Sequence, residues 1–146
     1  MAVKTYDPRD VQVIIGGFSM TGYADGTYVS VTSDEAAYNK TIGADGEVSR
    51  ARTNNRSGTM TLTLKQTSAS NDVLTGFAIA DETANGGVFP AMVKEVGSGR
   101  TLLFAAAAWI QQWPDVGYSK EIGNREWTIA LATIDRFVGG NADSGA

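Results

Sequence analysis

The run from Thr59 to Lys65 constrains the fold of this chain more than any other segment. Met60, Leu62 and Leu64 alternate with threonine and lysine along the whole run, with the period of two that a half-buried β-strand requires. A helix would scatter these apolar side chains around its circumference. The run therefore predicts a strand with one apolar face and one polar face, and the fold must supply a core to cover the apolar one.

Several other segments predict strands around this one. They are rich in β-branched and aromatic residues, or alternate in the same way, and Gly-rich turns separate them. Their approximate ranges are 10–18, 27–32, 88–96 and 126–134.

The segment 102–111 is ambiguous, because its alanine-rich sequence also suits a helix. Its position after the turn at 97–99 and its end at Trp113-Pro114 favour a strand. Such a strand would be apolar on both faces, so both faces would need to be covered.

We predict that 46–66 forms a hairpin, with 47–53 as its first arm and the turn within 54–58. A symmetric three-residue loop would place Arg50 opposite Leu62, and a guanidinium on the apolar face is costly without a partner. We therefore expect a register in which Arg50 and Arg52 lie beside Thr61 and Thr63, so that one face of the hairpin is polar and partly cationic.

The segment 33–45 has no clean period and is long for a hairpin loop. A long loop in a compact domain usually binds something, so we predict an assembly loop. The alternative is a disordered excursion, against which Tyr38 and Ile42 argue, because both side chains need a packing surface. The residues expected to make contacts between subunits are Asp34, Glu35, Tyr38, Lys40, Ile42 and Asp45.

One helix is predicted over about 70–84, with Ser70 as its N-cap and an apolar stripe that includes Leu74 and Phe77. Asn85-Gly86-Gly87 ends it. The sum is a mainly β chain, a β-sandwich or partly open barrel with one flanking α-helix. We predict a single domain over 1–146, with its β core in 10–137 and a flexible tail at 139–146.

Two absences from the composition exclude several chemistries. The 146-residue chain has no cysteine and no histidine, so zinc sites of the Cys/His kind and Ser-His-Asp catalysis are excluded. We expect no cofactor and no metal. The net charge of −4 leaves no basic surplus for tight nucleic-acid binding. The longest apolar run is too short to span a bilayer, and no signal peptide is expected, so synthesis in a reducing cytoplasm is expected.

Catalytic candidates are few. The acidic pairs Asp34-Glu35 and Asp81-Glu82 leave a hydrolase open, but adjacent residues on a strand point to opposite sides, so solvated loops are the simpler interpretation. Arg50, Arg52 and Arg56 would either contact phosphate or form ion pairs with a neighbouring strand or subunit, and the negative net charge favours ion pairs.

Three tryptophans allow another function. Trp109, Trp113 and Trp127 would suit a sugar-stacking platform of a carbohydrate-binding β-sandwich. The simpler interpretation is packing in the core or at an interface, which we also expect for Phe77.

Three segments in order carry a resemblance to a known family: 43–50, 54–64 and 67–74, followed by tryptophan-containing pieces near 109, 113 and 127. Together they resemble the tail tube proteins of contractile-tailed bacteriophages, which are similar in design to type VI secretion and pyocin tubes. The resemblance covers roughly 10–137 and depends on an ordered string of features, without a catalytic signature.

The resemblance implies a structural virion protein without enzymatic activity. Such subunits form hexameric rings, and the rings stack into a tube inside a contractile sheath. The implied partners are further copies of the chain, the sheath, baseplate and terminator proteins, and double-stranded DNA in passage, with no membrane. Assembly would take place in the host cytoplasm and the product would reside in the virion.

The resemblance also implies that each subunit lends about four strands to a continuous β-barrel around the bore of the tube. Six subunits would then give about 24 strands and a bore of roughly 35–40 Å before strand tilt widens it. That bore would admit a DNA duplex, and tight phosphate binding there would hinder sliding. The residues expected to line it are Arg50, Arg52, Thr61, Thr63, Lys65, Glu126 and Thr128.

Overall fold

The computed structural model describes residues 3–141 and the backbone of 143–144. Within these residues, twelve strands and one α-helix follow one another, with a short 3-10 turn at Pro8–Asp10. In order they are β1 Val3–Lys4, β2 Val11–Ile15, β3 Phe18–Ser19, β4 Val29–Ser33, β5 Tyr38–Ile42, β6 Val48–Arg52, β7 Gly58–Lys65, α1 Ser70–Ala84, β8 Phe89–Glu95, β9 Leu102–Gln112, β10 Asn124–Leu131, β11 Asp135–Phe137 and β12 Asp143–Ser144.

The main sheet is antiparallel, with the order β3-β2-β8-β9-β10-β7-β4, and β11 pairs with β9 beside this path. The sheet is curled, since the chain between β3 and β4 forms hydrogen bonds to strands near both ends of the sheet. The amide of Met20 donates to the carbonyl of Val13 on β2, and the amide of Ala24 donates to the carbonyl of Thr63 on β7. The predicted mainly β, sandwich-like fold with one helix is confirmed.

One core fills the inner side of the curled sheet. The predicted alternation of β7 is confirmed, since Met60, Leu62 and Leu64 are buried and each lies next to an inward residue of β10. Inward residues of β2 and β8 belong to the same core.

The segment 102–112 is the predicted strand and pairs with both β8 and β10. Only one of its faces is covered within the subunit, since Ala105 and Ala108 are buried while Ala106 and Trp109 are exposed. The described residues therefore do not supply the predicted cover for its second face.

Helix α1 has the predicted bounds and closes the inner side of the sheet with Leu74 and Ala78, which are buried. The predicted N-cap is wrong. Ser70 is the first helical residue, and its hydroxyl accepts from the amide of Thr21 at 2.9 Å instead of capping the helix. The predicted end is confirmed, since Asn85 adopts the left-handed conformation at φ 53°.

The predicted hairpin of 46–66 is wrong. Strand β6 pairs with β5 in a separate two-stranded sheet, while β7 lies between β10 and β4. Arg50 and Arg52 therefore lie opposite Lys40 and Tyr38 and not beside the threonines of β7. The predicted long loop 33–45 likewise contains a strand, because β5 forms half of this hairpin.

Two predictions about the C-terminal part also need correction. The strand predicted over 126–134 ends at Leu131, and a further short strand, β11, follows it and pairs with β9. The predicted tail is tied back to the N-terminal segment. The side-chain amide nitrogen of Asn141 donates to the carbonyl of Thr5 at 2.8 Å, and β12 pairs with β1. Residues 142, 145 and 146 lie outside the described residues.

Candidate assembly surfaces

The β5–β6 hairpin projects from the body of the protein, and we call residues 34–53 the arm. Every residue from 32 to 52 is exposed, although the arm carries the apolar side chains of Ile42 and Val48, which are 62% and 61% exposed. These two residues lie opposite each other near the tip. A two-stranded hairpin without a core is marginal by itself, so the arm has the properties of an element that is completed by another surface.

The middle of the arm is cationic and organised around one aromatic ring. The guanidinium carbon of Arg50 lies 4.3 Å from the ring centroid of Tyr38, and that of Arg52 lies 5.3 Å from it. Arg52 also donates to the Tyr38 hydroxyl at 2.8 Å. Lys40 lies directly opposite Arg50, and like charges in that position repel. A partner that supplies carboxylates would relieve this repulsion.

The base of the arm is fastened by hydrogen bonds. The Asp34 carboxylate accepts from the Ser57 hydroxyl at 2.8 Å and from the Thr59 hydroxyl at 3.1 Å. The amide of Thr53 donates to the carbonyl of Ala37 at 3.0 Å. Asp34 therefore has a structural role, while Glu35 and Asp45 are exposed on the arm.

The outer face of the sheet over β4, β7 and β10 is covered by small polar side chains, and we call it the threonine face. Thr61 lies between Ser30 and Thr128, and Thr63 lies opposite Glu126. The face also includes Lys65 opposite Asn124. Five of the seven predicted lumen residues are therefore brought together, namely Thr61, Thr63, Lys65, Glu126 and Thr128. Arg50 and Arg52 are separate from them, on the arm.

The same outer face becomes apolar on the other half of the sheet. Ile14, Met92 and Phe104 form a row across β2, β8 and β9. Trp109, which is 37% exposed, lies beside Ala130 at the border with the threonine face. Sequence reasoning missed this row, although the apolar residues on both faces of 102–111 were its signal.

The three tryptophans do not form one surface. Trp127 is in the core and 2% exposed, and Trp113 packs on it with ring centroids 5.7 Å apart. Trp109 lies on the opposite side of the sheet, because a bulge between Thr128 and Ile129 changes the register of β9 against β10. The predicted sugar-stacking platform of these three tryptophans is therefore wrong. The ring centroid of Phe77 lies 4.7 Å from that of Phe89 on the inner side of the sheet.

The acidic pairs serve structural contacts. Glu82 accepts from the Trp113 indole at 3.0 Å, and Asp81 accepts from the amide of Gly87 at 3.4 Å. Arg56 forms an ion pair with Asp135 at 2.7 Å, as the ion-pair interpretation predicted for this residue. Within the described ranges, no group of three or more acidic side chains could hold a metal ion. In that same part of the chain, no helix has the length and apolarity to cross a membrane.

A cluster of tyrosines lies where the N-terminal segment crosses the sheet end. The Tyr28 hydroxyl donates to the carbonyl of Pro8 at 3.1 Å, and its ring lies 4.6 Å from that of Tyr23. Burial, with a smaller contribution from Tyr6, raises the pKa of Tyr28 to about 12. Burial also raises the pKa of Tyr23. Both hydroxyls therefore remain neutral well above physiological pH.

The fold is shared with solved chains from contractile injection systems. A chain from the anti-feeding prophage cap, which terminates its tube, matches with a TM-score of 0.63 at 10% identity over 95% of both chains. A chain from the PVC sheath-tube complex of an extracellular contractile injection system matches with a TM-score of 0.63, also at 10% identity, over 92% of this chain and 93% of that one. A chain from the PVC sheath/tube terminator has a TM-score of 0.59 at 12% identity, over 92% and 97%.

Two comparisons of the sequence identify the family of this chain. Residues 4–139 match the model of the bacteriophage PhiTE tail tube protein, and the chain belongs to this family. It is also 32% identical, over an alignment of 146 positions, to structural protein ORF10 of Pseudomonas phage KPP10, covering 94% of this chain and 84% of the relative. The predicted phage tail tube protein is thereby confirmed, and the chain is a structural component of the virion.

Proposed function

We propose that copies of this chain join side by side into hexameric rings, and that the rings stack into the inner tube of a contractile tail. The observation that carries this proposal is the arm, in which every residue from 32 to 52 is exposed although the hairpin has no core of its own. Ordering such a hairpin costs an isolated subunit conformational entropy, and packing against a neighbouring subunit would offset that cost.

The main sheet supports lateral joining. Its terminal strands β3 and β4 each have one partner within the sheet path, and free strand edges pair readily with another chain. Joining such edges around a ring would close the sheet into a barrel, which removes the edges altogether. Ring contacts of this kind are obligate and large, typically above about 2,000 Å² per interface.

We assign the threonine face to the bore of that tube. Its hydroxyls bind water, and Lys65 and Glu126 contribute one charge of each sign. A surface of this kind offers few cations to DNA phosphates, so a duplex would pass without being held. The tube would then serve as a conduit for DNA into the host, inside a sheath and closed by a terminator protein. We further propose that the chain carries out no chemistry.

Electron microscopy of the purified full-length chain tests the proposal. We expect rings at low protein concentration and tubes at high concentration, with light scattering giving a mass that is a multiple of six subunits. Persistent monomers at high concentration that also fail to bind tail components would contradict the proposal.

A further inference from the structure

Arg125 is a buried cation without a counter-charge among the described residues. It is 9% exposed, occupies an inward position on β10, and forms no ion pair with any carboxylate in 3–141. Its guanidinium donates to the carbonyl of Asn124 at 3.1 Å and to that of Gly117 at 3.5 Å, and lies 5.4 Å from the ring centroid of Tyr118. A buried charge is normally paired, because desolvation is costly.

Arg125 lines a cleft of about 270 Å³ that opens to solvent between α1 and the 113–123 loop. The lining also contains apolar side chains, among them Trp113, which is 42% exposed, and Val116, which is 65% exposed. Asn71, in the first turn of α1, is another lining residue, and the start of a helix favours negative charge. The cleft therefore suits a segment that combines a carboxylate with apolar side chains.

The tip of the arm has that combination. Glu47 lies next to the turn, and the apolar pair Ile42 and Val48 lies directly below it. Asp45 is already engaged, since its carboxylate accepts from the amide of Glu47 at 3.0 Å. The Glu47 side chain is exposed, and no ion pair of Glu47 occurs within the described ranges. Glu47 is therefore the better candidate to pair with a cation elsewhere.

We propose that the arm tip of one copy docks in the Arg125 cleft of a second copy, with the Glu47 carboxylate against the Arg125 guanidinium and Ile42 and Val48 against Trp113 and Val116. Within one copy these apolar side chains are exposed and do not cover one another, so the docking contact would form between copies. The inference rests on the proposed function, because it specifies how subunits of the same tube contact one another.

A charge variant tests the pairing. Glu47→Gln should raise the protein concentration needed for tube formation about tenfold or more, because a charge-assisted contact to a buried guanidinium is lost. Asp25→Asn removes an exposed acid from a turn outside both surfaces and serves as the matched control, with the concentration unchanged. If Glu47→Gln assembles like the wild type, the proposed pair does not exist.

Cross-linking tests the location independently, since the chain has no cysteine of its own. The combination Ala44→Cys and Val116→Cys places one thiol at the arm tip and one at the cleft rim. Mild oxidation of tubes should give a ladder of covalent multimers on a denaturing gel, and dissociated subunits should give none. The combination Ala44→Cys and Asp25→Cys is the control and should not cross-link.

Two outcomes separate this inference from the proposed function. Wild-type protein that forms no rings or tubes would contradict the proposed function itself. Tubes of the Ala44→Cys and Val116→Cys variant that form normally but yield no ladder would overturn the docking contact alone.

Discussion

The indole nitrogen of Trp127 donates a hydrogen bond of 2.9 Å to the side-chain oxygen of Asn71, which ties β10 to the first turn of α1. The amide nitrogen of Asn71 in turn donates to the carbonyls of Lys65 and Ser68. One asparagine therefore joins the strand that precedes the helix, the helix itself and the core tryptophan. Asn71 and Trp127 are both lining residues of the cleft that contains Arg125.

Trp127→Ala should lower the free energy of unfolding by about 3–5 kcal/mol, because it removes a large core side chain and leaves Asn71 without its donor. Trp109→Ala is the matched comparison, since that ring is on the outer face and 37% exposed. We expect Trp109→Ala to cost the monomer about 1 kcal/mol or less. Urea denaturation of both variants measures the difference, and equal losses would contradict the placement of Trp109 on the outer face.

Replacing Tyr38–Arg52 with an Asn-Gly turn should leave a folded subunit that does not form tubes. Ala37 and Thr53 already share a backbone hydrogen bond of 3.0 Å, so a two-residue turn can join them. The core lies entirely outside the arm, so the thermal midpoint should change little. Calorimetry and electron microscopy measure the two properties. Loss of the folded state would show that the arm contributes to the subunit's own stability.

Thr61→Arg should convert the proposed bore into a surface that binds DNA. Thr61 is in the middle of the threonine face, between Ser30 and Thr128, and each ring would gain a circle of cations there. Fluorescence anisotropy with a short duplex should show binding to assembled tubes that weakens steeply between about 50 and 200 mM salt. Thr83→Arg adds the same charge to exposed α1 and should have no such effect. Equal binding by both variants would remove the support for the bore assignment.

The raised pKa of Tyr28 predicts that the folded protein loses stability in alkali. Its pKa is raised from 10.0 to about 12 in the folded protein, so the folded state keeps a proton that the unfolded chain loses. The stabilisation is complete below pH 10 and is lost as the pH rises through the folded pKa. Tyr28→Phe should therefore show a smaller decrease in unfolding free energy between about pH 9.5 and 11.5. Tyr118→Phe, in a ring that is 81% exposed, should follow the wild type.

The sequence predicted those parts of the fold in which side-chain pattern and burial agree. Met60, Leu62 and Leu64 alternate because one face of β7 meets the core, and Leu74 and Ala78 have helical spacing because one side of α1 does. The pairing of β5 with β6 could not be found in this way, because both strands are exposed on both faces and no period separates them. Asp45-Gly46 was the available signal, since this dipeptide favours tight hairpin turns.

The candidate surfaces were predictable only in part, for a related reason. Thr61, Thr63 and Thr128 form one face because strand alternation fixes their side of the sheet. Arg125 was not recognised as a site from the sequence. It interrupts an otherwise apolar inward row on β10, but its burial depends on the 113–123 loop that covers it. A single arginine in such a row is a clue that gains meaning only when the burial is known.

The arm has a consequence for the life of an unassembled subunit. Lys40, Arg50 and Arg52 are all exposed on it, and exposed projections are where proteases cut first. Trypsin should therefore cut the arm of a free subunit, whereas a subunit whose arm is covered should resist cleavage there. Cleavage rate would then report how much of the cellular pool has been incorporated, and nicked copies would be excluded from the growing polymer.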